Sequence, residues 1–400
     1  MDITIQPGKL SGTVRAIPSK SQAHRLLICA AFADGPTELY CSQVNRDIEA
    51  TADCLNALCG SVRRTDYGYA ISPYAPGSSD HAITLNCRDS GSTLRFLLPV
   101  AGALGKEVIF KMEGRLPQRP LSPLWEEMER MGCRLRRISS DELLVRGKLR
   151  PGDYCIDGNV SSQFISGLLF AAPLLDGHTA IHVKGKLESA PYVEMTQKAM
   201  TLFGIDTAGL RIPAGQKFHS PGKITVEGDW SNSAFWLGAT ALGSDLKVTN
   251  LDQKSPQGDR KVAELLPILS RNTSISVSDI PDLVPILAVV ASANAGAVFT
   301  DIARLRLKES DRVASTVAMI RALGGEAEAT DETLTVHGTG LTGGTVDSCN
   351  DHRIAMSAAI ASTVCSGPVS ILGTQCVEKS YPRFWDEFKL LGGKYELNLR

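Results

Sequence analysis

Apolar runs of about one helix length recur along the chain, each entered through a polar knot and closed near a glycine. The first is 19–35 (SKSQAHRLLICAAFADG), and the same order returns at 89–105, 159–177, 228–243, 279–296 and 350–367. Past the first turn these runs are nearly free of charge, so each predicts a helix that is apolar on every side and must be surrounded by protein. A second pattern lies between them, at 46–60, 121–132, 191–204, 259–269, 309–324 and 382–392. Its apolar residues are spaced by three and four, which predicts amphipathic helices with one wet face, several ending in a glycine turn. Short alternating stretches at 82–85, 107–112, 143–146, 180–183, 223–226, 246–248, 274–277, 334–336 and 369–372, together with the N-terminal MDITIQPGKL, predict strands.

These elements combine into a unit of strand, buried helix, strand, amphipathic helix and further strand. It occurs six times at a spacing of about 70 residues, falling to about 50 between the fourth and fifth copies. Solenoid repeats are shorter, so the expectation is a small α/β folding unit used six times. A chain of 400 residues exceeds what one core usually supports. The Gly- and Pro-rich stretch 209–228 falls between the third and fourth copies and predicts a boundary with three units on each side, with 12–19 as a second crossing.

The helix entrances carry the candidate chemistry. A helix start leaves backbone N–H groups unpaired and bears partial positive charge, which suits an anion. Ser, Asp and Asn at such positions read equally well as ordinary N-caps. Lys20, Arg25, Arg95 and Arg353 tip the balance, because a cation at the edge of an apolar run is costly without an anionic partner. Arg119, the stretch 304–312 and Lys379 add cations from loops. Net charge is only −1, which argues against a nucleic-acid binder and requires any anion site to be a local cluster. Gly91 reads as either a turn glycine or a point of close ligand approach, Asp282 as a helix cap or a working carboxylate, and Glu309 as a surface partner of Lys308 or an acid.

Other classes find little support. No P-loop, Ser-His-Asp order or histidine ligand pattern is present, so no metal or other cofactor is expected. The ten cysteines form no C-x-x-C pair and suit a reducing compartment. The run 283–300 approaches the length of a membrane span but is broken by Pro285, Ser292, Asn294 and Gly296. With no leader pattern at the start, a cytoplasmic chain that binds neither membrane nor nucleic acid is expected.

Nine short motifs then occur in order: S-K-S-x-x-x-R at 19–25, D-S-G-S-T-L-R at 89–95, Q-R-P at 118–120, V-S-S-Q-F at 160–164, S-A-P-Y at 189–192, I-P-D at 280–282, R-L-K-E-S-D-R at 306–312, N-D-H-R at 350–353 and E-K-S-Y-P at 378–382. With them the chain resembles the 5-enolpyruvylshikimate-3-phosphate synthases (3-phosphoshikimate 1-carboxyvinyltransferases) over nearly its whole length. The resemblance implies a two-domain inside-out α/β barrel, the enolpyruvyl transferase fold, with six βαβαββ units, three per domain. It also implies that 1–18 joins 228–400 in one domain, that 19–227 forms the other, and that the active site lies in the cleft between them.

The implied reaction moves the enolpyruvyl group of phosphoenolpyruvate to the 5-hydroxyl of shikimate 3-phosphate, releasing phosphate, on the shikimate pathway to chorismate and the aromatic amino acids. Carried over by position, Lys20, Ser21, Arg25, Ser161, Ser162, Gln163, Ser189, Tyr192, Asp282 and Lys308 hold shikimate 3-phosphate. Lys20, Gly91, Arg119, Gln163, Arg312, Arg353 and Lys379 meet phosphoenolpyruvate. Asp282 serves the hydroxyl and Glu309 the carbon proton, with Lys20 and His352 assisting, while Arg95 supports the site from behind and His24 is structural. These small-molecule substrates are the expected partners of a monomer, and glyphosate is an expected inhibitor. Asp89, Ser92 and Arg304 depart from the family's usual residues. Two alternatives stand beside this reading: the sister transferase acting on UDP-N-acetylglucosamine, which shares the fold, and a non-catalytic anion binder.

Overall fold

The computed structural model describes residues 1–59, 62–73 and 82–398. Its chain divides into two compact units, Pro18–Glu227 and Met1–Ile17 with Gly228–Arg400. Each has its own hydrophobic core.

The sheets of both units repeat one plan. In the second copy, Ile83–Asn86 pairs in parallel with Val108–Lys111, which pairs antiparallel with Glu142–Gly147, and Cys133–Arg137 forms the edge. A parallel pair needs a crossover, and the apolar helix Gly91–Leu104 provides it. The third, fifth and sixth copies start with the same parallel pair: Gly152–Asp157 with Thr179–Lys184, Thr273–Ser276 with Ala297–Thr300, and Gly344–Asp347 with Val369–Leu372.

The first and fourth copies borrow their opening strands. Lys223–Thr225, the last strand of Pro18–Glu227, pairs in parallel with Thr37–Tyr40. Ser11–Arg15 pairs in parallel with Asp245–Thr249. The N-terminal strand Asp2–Gln6 sits between Val369–Leu372 and Lys394–Asn398 in the sheet of the sixth copy. Each strand that precedes a crossing is thus bonded into the unit the chain is about to leave.

All six apolar helices form: Lys20–Ala31, Gly91–Leu104, Ser162–Ala171, Trp230–Ala241, Val284–Ser292 and His352–Ala361. Every residue of the last two is buried. Side chains of Ser19, Ser90, Ser161, Asp229 and Asp351 cap five of the six by accepting a first-turn N–H, so the capping reading of those residues is also correct. The glycine stop is less general than expected. Gly105 ends its helix in the left-handed region, whereas the first helix ends on Phe32 and the sixth on Ser362, both at negative φ that any residue adopts. Gly60, the expected stop of the helix Arg46–Cys59, lies outside the described residues.

One close helix contact depends on two residue types at once. Pro99, inside Gly91–Leu104, has no N–H to give the carbonyl of Arg95 one turn back. Gly167 of Ser162–Ala171 lies against that carbonyl, where an added Cβ would come within 2.3 Å of the oxygen. The described cysteines are free and mostly buried, and burial pushes the thiols of Cys41, Cys133 and Cys376 up to about 12. Among the described residues no helix is long and apolar enough to cross a membrane.

Candidate active site

The expected site residues gather into two clusters, one in each unit. In Pro18–Glu227 most stand in the opening turns of the apolar helices, while Arg119 follows the short helix Leu116–Gln118 and Ser189 and Tyr192 lie at the start of Ala190–Leu202. Lys20 is the first residue of its helix, and its Nζ lies 3.0 Å from Asp47 Oδ2 in the first turn of Arg46–Cys59. Arg25, one turn further in, is buried: Nε donates to Thr196 Oγ1 at 2.8 Å, Nη1 to the Ser21 carbonyl at 2.6 Å and Nη2 to the Tyr192 carbonyl at 2.9 Å. Its guanidinium also stacks over the Phe96 ring, and burial lowers it to about 10.

Gln163 joins two entrances. Its Nε2 donates to Ser92 Oγ at 2.9 Å, and its Oε1 accepts from Arg95 Nη1 at 3.0 Å. Arg95 therefore stands behind Gln163, and its Nη2 reaches the Pro120 carbonyl beside Arg119. Gly91 has ordinary φ; its lack of a side chain matters because a Cβ there would meet Arg95 Nη1 at 2.7 Å and Arg119 Nη1 at 2.8 Å. Ser161 caps the helix that Ser162 begins, and Ser162 is buried. Ser189 is buried at φ 55° just before the helix Ala190–Leu202, whose first turn holds Tyr192. A serine held at positive φ is strained, a cost often found at functional sites.

In the unit formed by Met1–Ile17 and Gly228–Arg400, Arg312 is the hub. It is fully buried at the start of the helix Arg312–Ala322. Nη1 donates to Asp282 Oδ1 at 2.7 Å, Nη2 to Glu309 Oε2 at 2.7 Å, and Nε to Asp351 Oδ2 at 3.0 Å. Asp282 also takes Arg353 Nη2 at 3.0 Å and lies 3.3 Å from Lys308 Nζ. Asp282 is not the cap of its helix, and Glu309 pairs with buried Arg312. His352 opens the sixth helix, with Nδ1 3.9 Å from Asp351 Oδ1, and Lys379 ends the short helix Thr374–Lys379.

Charge sets the protonation of this cluster. Burial would raise the Asp282 carboxyl, but Arg353, Lys308 and Arg312 outweigh it and hold the group well below the usual carboxylate range. Burial likewise lowers Lys308 to about 8, with Asp282 opposing and the Arg312 and Arg304 charges adding to the shift. Asp259, 2% exposed, is pushed by burial and then by Asp282 up to about 6. It hydrogen-bonds Ser231, whose Oγ accepts from Arg353 Nη2 at 2.8 Å. Such an array can hold phosphate and carboxylate groups and can pass protons among carboxylates.

Asp47, Asp351 and Asp259 escaped the sequence reading because an acid in a first turn, or at an N-cap, looks like routine helix chemistry. Asp351 does cap its helix, and it binds Arg312 with the same carboxylate. Among the described residues no group of three His, Cys, Asp or Glu is placed to hold a metal ion.

Six copies of one α/β unit, with Lys20, Arg95 and Arg353 in the opening turns of three of the apolar helices, define the enolpyruvyl transferase class. The fold is shared with an EPSP synthase from Acinetobacter baumannii, at TM-score 0.79 and 23% identity over 99% of this chain and 100% of that one. It is shared too with the enolpyruvyl transferase NikO from Streptomyces tendae, at TM-score 0.73 and 18% identity over 99% and 98%. The family model described as EPSP synthase (3-phosphoshikimate 1-carboxyvinyltransferase) matches residues 5–272 and 266–388. Relatives named 3-phosphoshikimate 1-carboxyvinyltransferase are 38% identical in Clostridium kluyveri, over 98% of both chains, and 35% identical in Clostridium beijerinckii, over 99% of this chain and 98% of that one. The chain belongs to the EPSP synthase family.

Proposed function

We propose that this chain transfers the enolpyruvyl group of phosphoenolpyruvate to the 5-hydroxyl of shikimate 3-phosphate by addition and elimination, using the residues above as its machinery. The observation that carries the assignment of roles is the buried Arg312 holding Glu309 and Asp282 at 2.7 Å each, beside Lys308 and Arg353. Lys20, Gly91, Arg119, Gln163, Arg312, Arg353 and Lys379 meet phosphoenolpyruvate. Ser161, Ser162, Ser189 and Lys308 take the phosphate of shikimate 3-phosphate, with Ser21, Arg25, Gln163, Tyr192 and Asp282 around the rest of the molecule.

Addition requires a proton on the methylene carbon, which makes C2 electrophilic, and a base for the 5-hydroxyl as its oxygen bonds to C2. Glu309 supplies the first proton and Asp282 receives the second, with Lys20 and His352 balancing charge. The tetrahedral ketal phosphate then returns a methyl proton to Glu309 while its C2–O bond to phosphate breaks, which restores the double bond, and the departing phosphate takes the proton held by Asp282. A substrate carboxylate on Arg312 replaces Glu309 as its partner and leaves Glu309 able to take up a proton. The chain acts as a cytoplasmic monomer without a cofactor.

Phosphate release from phosphoenolpyruvate, measured with shikimate 3-phosphate, with UDP-N-acetylglucosamine and with neither, tests the assignment. Release is expected with shikimate 3-phosphate alone. Release with the nucleotide sugar instead moves the chain to the sister activity, and none with either acceptor makes it a binder.

A further inference from the structure

Behind Lys20 and Gly91 runs a line of hydrogen bonds that the reaction does not use. His24 Nδ1 lies 2.7 Å from Thr51 Oγ1, Thr51 Oγ1 lies 2.7 Å from Thr93 Oγ1, and Thr93 Oγ1 donates to Ser90 Oγ at 2.8 Å. All four side chains are buried. The direction of the last bond fixes the others, because each hydroxyl has one proton to give. Thr93 gives its proton to Ser90, so it accepts from Thr51. Thr51 has then spent its own proton and accepts from His24 Nδ1–H. The imidazole is therefore the Nδ1–H tautomer, with Nε2 buried and without a partner among the described residues. Burial lowers this histidine to about 3, so it stays neutral and the order of donors holds across the working pH range.

Three helices are tied by this line, and two of them begin at expected phosphoenolpyruvate contacts. His24 follows Lys20 by one turn, and Thr51 follows Asp47 by one turn, so Lys20–Asp47 and His24–Thr51 are successive rungs between Lys20–Ala31 and Arg46–Cys59. Thr93 lies two residues past Gly91, and Ser90 is the cap of that helix. We infer that Thr51 is a positioning residue for phosphoenolpyruvate: with His24, Thr93 and Ser90 it fixes the entrance at Lys20 against the entrance at Gly91. An amphipathic outer helix with no expected substrate contact thereby sets the geometry of one substrate's subsite. The inference rests on Lys20 and Gly91 meeting phosphoenolpyruvate, as proposed above.

Thr51→Val keeps the shape and removes the hydroxyl, leaving His24 Nδ1–H without an acceptor and Thr93 without a donor. We expect its KM for phosphoenolpyruvate to rise by roughly tenfold, a cost of the size an unsatisfied buried donor carries, while the KM for shikimate 3-phosphate stays within about twofold. Thr51→Ser restores the hydroxyl and should restore the KM. Thr93→Val cuts the same line and should give the same split if Thr51→Val does not fold. Gly91→Ala serves as the control for the subsite, since its Cβ crowds Arg95 and Arg119. A raised phosphoenolpyruvate KM in Gly91→Ala beside an unchanged one in a folded Thr51→Val or Thr93→Val overturns the inference alone. An unchanged KM in Gly91→Ala overturns the subsite and the inference with it. Equal rises for both substrates in Thr51→Val, with a lowered Tm, reduce Thr51 to a purely structural role.

Discussion

The two clusters satisfy their buried cations in opposite ways. In Pro18–Glu227, Arg25 is held by the Ser21 and Tyr192 carbonyls and a threonine hydroxyl, and Arg95 by Gln163 and the Pro120 carbonyl. In the other unit, Arg312, Arg353 and Lys308 are held by Asp282, Glu309 and Asp351. Neutral acceptors orient a guanidinium without cancelling its charge, whereas carboxylates cancel it. The exception in the first unit is Lys20, which Asp47 holds at 3.0 Å. In the proposed reaction the second exchanges one of its own carboxylates for the substrate's, and that exchange is where a proton is loaded. The proposed function divides the two units between holding charge and moving protons.

The contrast predicts unequal costs of removing an arginine. Arg312→Met strands Asp282, Glu309 and Asp351 without their shared cation, and should lower stability by about 3–5 kcal/mol or prevent folding. Arg95→Met takes the donor away from Gln163 and from the Pro120 carbonyl and should cost about 1–3 kcal/mol. Urea titration of both variants checks the order, and equal costs would break the comparison.

A smaller effect follows from Lys308. Burial brings its ammonium to about 8, so it carries charge below that pH and loses it as pH rises through it. The KM for shikimate 3-phosphate should climb from about pH 8 upward, because the phosphate loses a cationic partner. In Lys308→Arg, which stays charged, the climb should vanish. A flat wild-type profile between about pH 7 and 9.5 removes Lys308 from the phosphate.

How much of this is legible in the sequence differs between core and edge. The six apolar helices were readable because a polar entrance followed by an uncharged run has few other meanings. The strands Cys133–Arg137 (CRLRR), Val62–Thr65 (VRRT) and Lys394–Asn398 (KYELN) were not, because an edge strand with one wet face carries charges that resemble a loop. The opening strands Ser11–Arg15 and Lys223–Thr225 pair with partners on the far side of a whole unit, and no local pattern announces such pairing. Cations of the site stood out against apolar runs. Their carboxylate partners Asp47 and Asp351 were hidden, since a first-turn or capping acid is what any helix shows. Gln163 was expected on the substrates, and its hold on Ser92 and Arg95 could only be seen in three dimensions.

The division of labour meets its most direct test in deuterium oxide. Turnover of phosphoenolpyruvate with shikimate 3-phosphate should place solvent deuterium in the methylene group of the product, delivered through the exchangeable carboxyl of Glu309. Glu309→Gln should bind shikimate 3-phosphate as the parent does, yet lose turnover by about 10²–10⁴-fold, and with it the rate at which labelled product appears. Product formed by Glu309→Gln at near-parental rate and with undiminished deuterium would contradict the assignment of proton chemistry to the Arg312 cluster.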